Sequence, residues 1–112
     1  MMMKMELTGK QRAQLRGLAN GIETILRIGK GGVTESVIQQ ARNALKAREI
    51  IKCRVLKNDL SDTARSAADD LAAATDSAVV QVIGTRFVLY RPSETMPEEK
   101  RIVLISGEGK KA

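Results

Sequence analysis

Residues 24–34 read Thr-Ile-Leu-Arg-Ile-Gly-Lys-Gly-Gly-Val-Thr, a short apolar run followed by a glycine-rich loop and a threonine. The first five residues include three β-branched side chains, which predicts a strand. Three glycines then break the strand, and Thr34 is a typical N-cap for a following helix. Apolar residues from Val37 to Leu45 recur close to every 3.6 residues, which predicts a helix over 35–48. The stretch is therefore the first half of a β-α-β unit.

The flanking sequence extends this pattern in both directions. Thr8 and Gln11 have the spacing of a capping box, which predicts a helix over 8–19. Further strands are predicted over 50–55, 78–83 and 86–91, with a helix that starts at Ser61 and a type II′ hairpin turn at Gly84-Thr85. The order α-β-α-β-α-β-β predicts an α/β fold of two layers with a four-stranded mixed sheet. Right-handed crossovers that step the same way place both crossover helices on one face.

Alternation along the strands predicts a sheet with two different faces. One face is expected to be core. The other is expected to be mixed and at most partly covered, with Arg27, Lys52, Arg54, Gln81, Arg86 and Tyr90 on it. Val80 is predicted on the core face with Val82, Phe87 and Leu89, and Val79 on the mixed face. Tyr90 has two open interpretations, a base-stacking ring or a sheet residue with a solvated hydroxyl.

Composition excludes several classes of chemistry. Histidine is absent, which removes His-based triads, His-ligated zinc and imidazole acid–base catalysis. Cys53 is the single cysteine, so neither an intrachain disulfide nor a cysteine-rich metal site is expected. Cys53 is interpreted as a small buried hydrophobe. We expect no catalytic residue, no metal and no cofactor.

The charge of +6 is unevenly distributed along the chain. Residues 1–57 hold twelve Lys and Arg against four Asp and Glu, a net charge of +8, whereas residues 58–112 have a net charge of −2. A basic half-chain favours a polyanionic partner, most often nucleic acid, over simple solubility charge. Arg42 and Lys46 of the second predicted helix, one helical turn apart, are interpreted as solvated charge, with a phosphate clamp as the alternative.

The glycine-rich loop over 29–32 allows several interpretations. A Walker A sequence is absent, and Thr34 stands where a dinucleotide fingerprint needs its third glycine. Gly29-Lys30-Gly31-Gly32 matches the G-x-x-G loop that clamps a nucleic-acid backbone in KH-type modules. A plain glycine-rich turn and a small phosphate- or nucleotide-binding loop remain the alternatives.

Separate blocks of the sequence resemble one family. They are Leu-Arg-Gly-Leu-Ala at 15–19, Ile-Gly-Lys-Gly-Gly-Val-Thr-Glu at 28–35, and Val-Gln-Val-Ile-Gly at 80–84 with Val-Leu-Tyr-Arg-Pro at 88–92. Together they resemble the YhbY family, the stand-alone bacterial form of the CRM domain (chloroplast RNA splicing and ribosome maturation). The resemblance implies an RNA-binding domain similar to the C-terminal domain of translation initiation factor three. It also implies association with 23S rRNA in pre-50S particles, with the G-x-x-G loop in the RNA surface.

These observations define a set of expectations. Residues 1–92 form a CRM-type RNA-binding domain, and residues 93–112 a polar tail with a short edge strand at 102–105. The protein is a cytoplasmic monomer, not an enzyme, that acts in ribosome assembly. No apolar run exceeds four residues, so no membrane segment is expected. The expected RNA-binding residues are Gly29, Lys30, Gly31, Gly32, Arg27, Lys52, Arg54, Arg86, Lys10, Arg12 and Arg16.

Overall fold

The chain folds into helices and strands in the predicted order. The computed structural model describes residues 7–29, 31–56 and 61–104. Thr8 accepts a hydrogen bond from the amide of Gln11, whose side chain accepts one from the amide of Thr8, and Thr34 accepts one from the amide of Val37. The elements are α1 (Gly9–Ala19), β1 (Thr24–Ile28), α2 (Glu35–Arg48), β2 (Ile50–Val55), α3 (Ser61–Thr75), β3 (Ala78–Ile83), β4 (Arg86–Tyr90) and a 3-10 helix (Glu98–Lys100).

The four strands form one mixed sheet in the order β1-β2-β4-β3. β1 and β2 are parallel, and β4 is antiparallel to both of its neighbours. Gly84 and Thr85 form the two-residue turn between β3 and β4. Gly84 has a φ of +60°, which a type II′ turn requires at its first central position. The predicted α/β fold and mixed sheet are confirmed.

Both crossover helices pack on the same face of the sheet, which we call the first face. α2 contributes Val37, Ala41 and Leu45 to this core. α3 contributes mainly small side chains, so its backbone lies close to the strands. The strand residues of this core are Leu26, Ile28, Ile51, Cys53, Val55, Phe87 and Leu89.

The opposite, second face is covered over only part of its area. Leu15 and Ala19 of α1 pack there on a cluster of strand residues, Ile50, Val80, Val88 and Tyr90. Ile102 and Leu104 pack against the same cluster. The residues at the carboxyl ends of β1 and β2 on this face are exposed. The second face is therefore divided into a covered part under α1 and an open part.

A β-bulge in β3 reverses the predicted faces of two valines. The register is irregular between Val79, which pairs with Leu89, and Gln81, which pairs with Val88. Val79 packs against the first-face core, whereas Val80 is buried in the second-face cluster. The prediction for this pair was wrong because a bulge inserts one extra residue and so interrupts strict alternation.

Residues 93–104 are held against the domain by hydrogen bonds. The carboxylate of Glu49 accepts from the amide of Ser93 at 2.7 Å and from the amide of Ile102 at 2.6 Å. Gln14 Nε2 donates to the carbonyl of Val103 at 2.9 Å. The structure assigns no strand to residues 102–104, and the last residue of the predicted edge strand, Ile105, lies outside the described residues.

Candidate nucleic-acid interface

Three arginines form a row across the open part of the second face. Arg27 of β1 is the register partner of Arg54 of β2, which is in turn the partner of Arg86 of β4. Register partners in adjacent strands project to the same side, and neighbouring strands lie about 4.8 Å apart, so the row spans roughly 10 Å. We call Arg27, Arg54 and Arg86 the arginine row. Lys52, two residues before Arg54, lies on the same face and is half-buried, which is the alignment that alternation predicts.

The arginine row carries three exposed like charges. Among residues 7–29, 31–56 and 61–104, no group forms an ion pair or a hydrogen bond with these guanidinium groups. Like charges placed directly opposite one another in a sheet are destabilising. The row is therefore an unfavourable arrangement of charge in the free protein.

The glycine loop forms a tight turn between β1 and α2. The carbonyl of Gly29 accepts a hydrogen bond from the amide of Gly32 at 3.0 Å, and Gly32 has a φ of +74°. Only glycine adopts that backbone conformation without strain. Gly29 and Gly31 are exposed, whereas Gly32 is half-buried. Lys30, one of the expected RNA-binding residues, lies outside the described residues.

The glycine turn and the arginine row lie at the same end of the sheet, where β1 and β2 have their carboxyl ends. Gly29 follows Arg27 by two residues, at the carboxyl end of β1. The amide of Leu56 donates to the carbonyl of Ile28, which ties the end of β2 to the start of the turn. The amide of Val55 donates to the carbonyl of Thr85 and ties the same end to the hairpin. The glycine turn and the arginine row, which come from separate parts of the sequence, therefore form one surface.

The basic residues of α1 are placed differently. Lys10 and Arg16 are exposed on α1, above the covered part of the second face, and the structure does not bring them into the arginine row. The guanidinium of Arg12 donates to the carbonyls of Val79 and Val80. Val79 and Val80 lie at the bulge of β3, which is an edge strand of the sheet. Arg12 therefore anchors α1 to β3.

Arg42 and Lys46, two of the three basic residues of α2, are both exposed, and Arg42 in addition makes a hydrogen bond. Arg42 donates to the carbonyl of Ala74 at 3.0 Å, near the C-terminus of α3. A cation at this position satisfies an orphan helix carbonyl and complements the helix dipole. Lys46 is exposed on α2, which packs on the first face, away from the arginine row.

Tyr90 is not available to a base. Its side chain is 2% exposed beneath α1 and residues 102–104, so the base-stacking interpretation is wrong. Burial, followed by the nearby negative charge of Glu49, raises the pKa of the Tyr90 hydroxyl. Local patterns do not predict this burial, because the cover comes from α1 and residues 102–104, which pack on Tyr90 only in the folded chain.

Glu49 is a buried residue whose role no sequence signal indicates. It lies between α2 and β2, is 1% exposed and has a φ of +68°. The amides that it accepts from are 44 and 53 residues further along the chain. Its role is structural, because both carboxylate oxygens are used to hold backbone.

Other chemistry has little support in the described part of the chain. Cys53 is fully buried, and burial raises its pKa to about 12, as expected of a core thiol and not of a nucleophile. No three His, Cys, Asp or Glu side chains among the described residues lie close enough to hold a metal ion. No described helix is both long and apolar enough to cross a membrane.

Comparison with known proteins identifies the family. Residues 7–91 match the CRS1 / YhbY (CRM) domain. The chain belongs to the CRS1/YhbY (CRM) domain family. The matched range ends one residue after β4 and contains both the glycine turn and the arginine row.

Two relatives and one solved structure illustrate the likeness within the CRM family. "Probable RNA-binding protein YqeI" of Bacillus subtilis is 43% identical over 98 residues, which cover 88% of this chain and 98% of that protein. An "RNA-binding protein" of Haemophilus influenzae is 39% identical over 88 residues, covering 79% of this chain and 88% of that protein. The hypothetical protein SAV1595 from Staphylococcus aureus, known from a solution structure, is 45% identical in sequence. The structural alignment has a TM-score of 0.73 and covers 88% of this chain and 99% of that one.

Proposed function

We propose that this CRM-family protein binds RNA without catalysing a reaction, through phosphate contacts made by the arginine row and the glycine turn. The observation that carries the proposal is the arginine row itself, three exposed cations in register with no partner among the described residues. A guanidinium offers paired donors that match phosphate oxygens. The names of the relatives, which are RNA-binding proteins, support the same function.

The geometry favours a polymer over a mononucleotide. The three arginines are spread across three strands of an open sheet surface and do not converge on a single point. Phosphates spaced along a nucleic-acid backbone fit such a row, whereas one nucleotide would meet only part of it. A calorimetric titration with ATP or GTP should therefore give no binding heat at concentrations where RNA is bound. Tight nucleotide binding would support the alternative, a small phosphate- or nucleotide-binding protein.

We infer that the RNA is the precursor of the large ribosomal subunit, 23S rRNA in pre-50S particles. The resemblance to the YhbY family supports this partner. The physical argument concerns selectivity: phosphate contacts fix position and orientation but do not read sequence. A binder of this kind depends on the shape of a folded RNA for its selectivity, and a maturing ribosomal subunit offers such a shape.

The test compares two charge reversals that change the net charge equally. Affinity for a structured rRNA fragment is measured over a series of salt concentrations for the wild type, Arg54→Glu and Lys46→Glu. Each phosphate contact contributes roughly 0.7–0.9 to the slope of log affinity against log salt. Arg54→Glu should weaken binding by about tenfold or more and lower the slope by about one, with Lys46→Glu close to wild type. A flat salt dependence, or equal losses in both variants, would contradict the proposal.

A further inference from the structure

Two exposed apolar side chains flank the arginine row. Ile83 of β3 is the register partner of Arg86 and is 64% exposed, so it continues the row onto the fourth strand. Leu56 follows β2 and is 53% exposed. Alternation along β2 places Leu56 on the same face as Lys52 and Arg54. The open part of the second face therefore combines cations with aliphatic groups.

Leu56 also lies next to the glycine turn. Its amide donates to the carbonyl of Ile28, so the parallel register of β1 and β2 continues and sets Leu56 beside Gly29. The two apolar side chains therefore lie at different places on this surface: Leu56 is beside the glycine turn, and Ile83 is at the β3 end of the arginine row. A ligand that follows the arginine row to Ile83 and also reaches the glycine turn would cover both apolar side chains.

We propose that Leu56 and Ile83 contact the faces of unpaired bases, so that the preferred ligand is RNA with unstacked nucleotides beside the phosphates held by the arginine row. This inference rests on the proposed function and names its ligand class. A continuous RNA duplex presents phosphates and riboses outward, while its base faces are enclosed in the stack. Aliphatic side chains gain from contact only with apolar surface, and in RNA this surface is the face of an unstacked base. Arginine planes stack on such bases as well.

The charge complementarity of the surface favours RNA over a protein partner. Arg27, Arg54 and Arg86 surround the apolar groups with a positive potential, and no described carboxylate is paired with them. A protein that covered Leu56 and Ile83 would have to supply acidic groups at each arginine. RNA supplies anionic phosphates and apolar base faces on the same chain, at neighbouring positions.

The experiment uses two RNAs, a blunt duplex and the same duplex interrupted by an internal loop of unpaired adenosines. The wild type should bind the looped RNA more tightly. The double variant Leu56→Ser, Ile83→Ser should lose about tenfold in affinity for the looped RNA, with affinity for the blunt duplex and its salt slope unchanged. Val103→Ser is the matched control, since Val103 is 79% exposed and its side chain lies outside the arginine row. Ile83→Thr keeps the branched shape that suits a strand and replaces the serine variant if that lowers stability.

The outcomes distinguish a failure of RNA binding from a failure of the base contacts alone. Binding of neither RNA by the wild type would overturn the proposed function. Binding of both RNAs with equal affinity, unchanged in the double variant, would overturn the base-contact inference alone. An equal loss for looped and blunt RNA in a folded double variant would overturn it too, because the apolar contact would then not depend on unpaired bases.

Discussion

Arg27 and Arg54 lie side by side as register partners in two parallel strands, and neither has a carboxylate partner in the described part of the chain. Arg86 adds a third charge on the other side of Arg54. An arrangement that repels itself in the free protein becomes favourable when phosphates enter between the charges. Stability and RNA affinity should therefore respond in opposite directions when the central arginine is removed.

Arg54→Thr is expected to stabilise the free protein while weakening its binding to RNA. Threonine suits a strand, and the substitution removes repulsion with two neighbours, each worth roughly 0.2–1 kcal/mol. The free energy of unfolding, from urea titrations, should rise by about 0.5 kcal/mol at low salt. The gain should shrink at high salt, which screens exposed charges.

Arg27→Thr, at the end of the row, serves as the control for Arg54→Thr, because it relieves only one neighbour and should give a smaller gain. A lower stability of Arg54→Thr at both salt concentrations would contradict the repulsion argument.

The two ends of the glycine turn should respond differently to substitution. A Cβ added at Gly29 meets no atom within 4 Å, so Gly29→Glu should fold normally and weaken RNA binding by placing a negative charge beside phosphate. Gly32 has a φ of +74°, so Gly32→Ala should lower the free energy of unfolding by about 1 kcal/mol. Circular dichroism and urea titration measure the fold, and anisotropy of labelled RNA measures binding. Gly29→Ala is the uncharged control. Equal RNA affinity of Gly29→Glu and Gly29→Ala would show that the loop is a turn that does not contact RNA.

Local sequence patterns were sufficient to predict the helices and strands and much of the arginine row. The capping pattern of Thr8 and the spacing of Val37 and Leu45 depend on neighbours within one or two helical turns, and both elements formed where predicted. The alignment of Arg27 with Arg54 follows from alternation together with the parallel pairing of a β-α-β unit. The helix caps and apolar periodicities have causes within a few residues of each other, whereas the arginine alignment needs only the general rule that the strands of a β-α-β unit pair in parallel.

Features that depend on remote contacts were not predictable in this way. The bulge beside Val80 depends on how β3 pairs with β4, and no local signal marks it. The contact of Arg12 with the carbonyls there follows from that bulge. The burial of Tyr90 depends on residues 102–104, which Glu49 holds in place. Each of these arises from the way separate elements pack on one another, about which single-sequence patterns carry little information.

Glu49→Ala is expected to lower stability and to release residues 93–104. Loss of the carboxylate leaves the amides of Ser93 and Ile102 without an acceptor, and each unsatisfied buried donor costs about 1–3 kcal/mol. The free energy of unfolding should fall by about 3 kcal/mol. Hydrogen exchange should show faster exchange at the Ser93 and Ile102 amides. Glu49→Gln keeps one oxygen acceptor and should lose less stability. Unchanged hydrogen exchange at these amides in Glu49→Ala would exclude the anchoring role.

Cys53 should be inert in the folded protein. Burial raises its pKa from 9.0 to about 12, so the thiolate is disfavoured in the native state. Because the folded pKa lies above the unfolded one, the stability contributed by the neutral thiol is complete below the unfolded pKa. It is lost as the pH rises from about 9 towards about 12. At about pH 8.5, where an exposed thiol is partly ionised, DTNB should label Cys53 only after urea unfolding. Rapid labelling of the native protein would contradict this.

In the cell, the protein is expected to sediment with precursors of the large ribosomal subunit in preference to mature ribosomes. A small domain that contacts phosphates positions RNA without reading its sequence, so its partner must be selected by shape. A precursor differs from a mature subunit in having RNA that is not yet packed, and its unpaired segments remain accessible to a surface such as the arginine row. Deletion should cause large-subunit intermediates to accumulate, most visibly in the cold, where misfolded RNA rearranges slowly. Sedimentation of a tagged copy through a sucrose gradient, with its crosslinks mapped on the RNA, measures where the protein binds. A tagged Arg54→Glu variant should be lost from the precursor fractions, whereas a Lys46→Glu variant should remain in them. A peak with small subunits or with free messenger RNA would exclude the ribosomal partner and leave RNA binding intact.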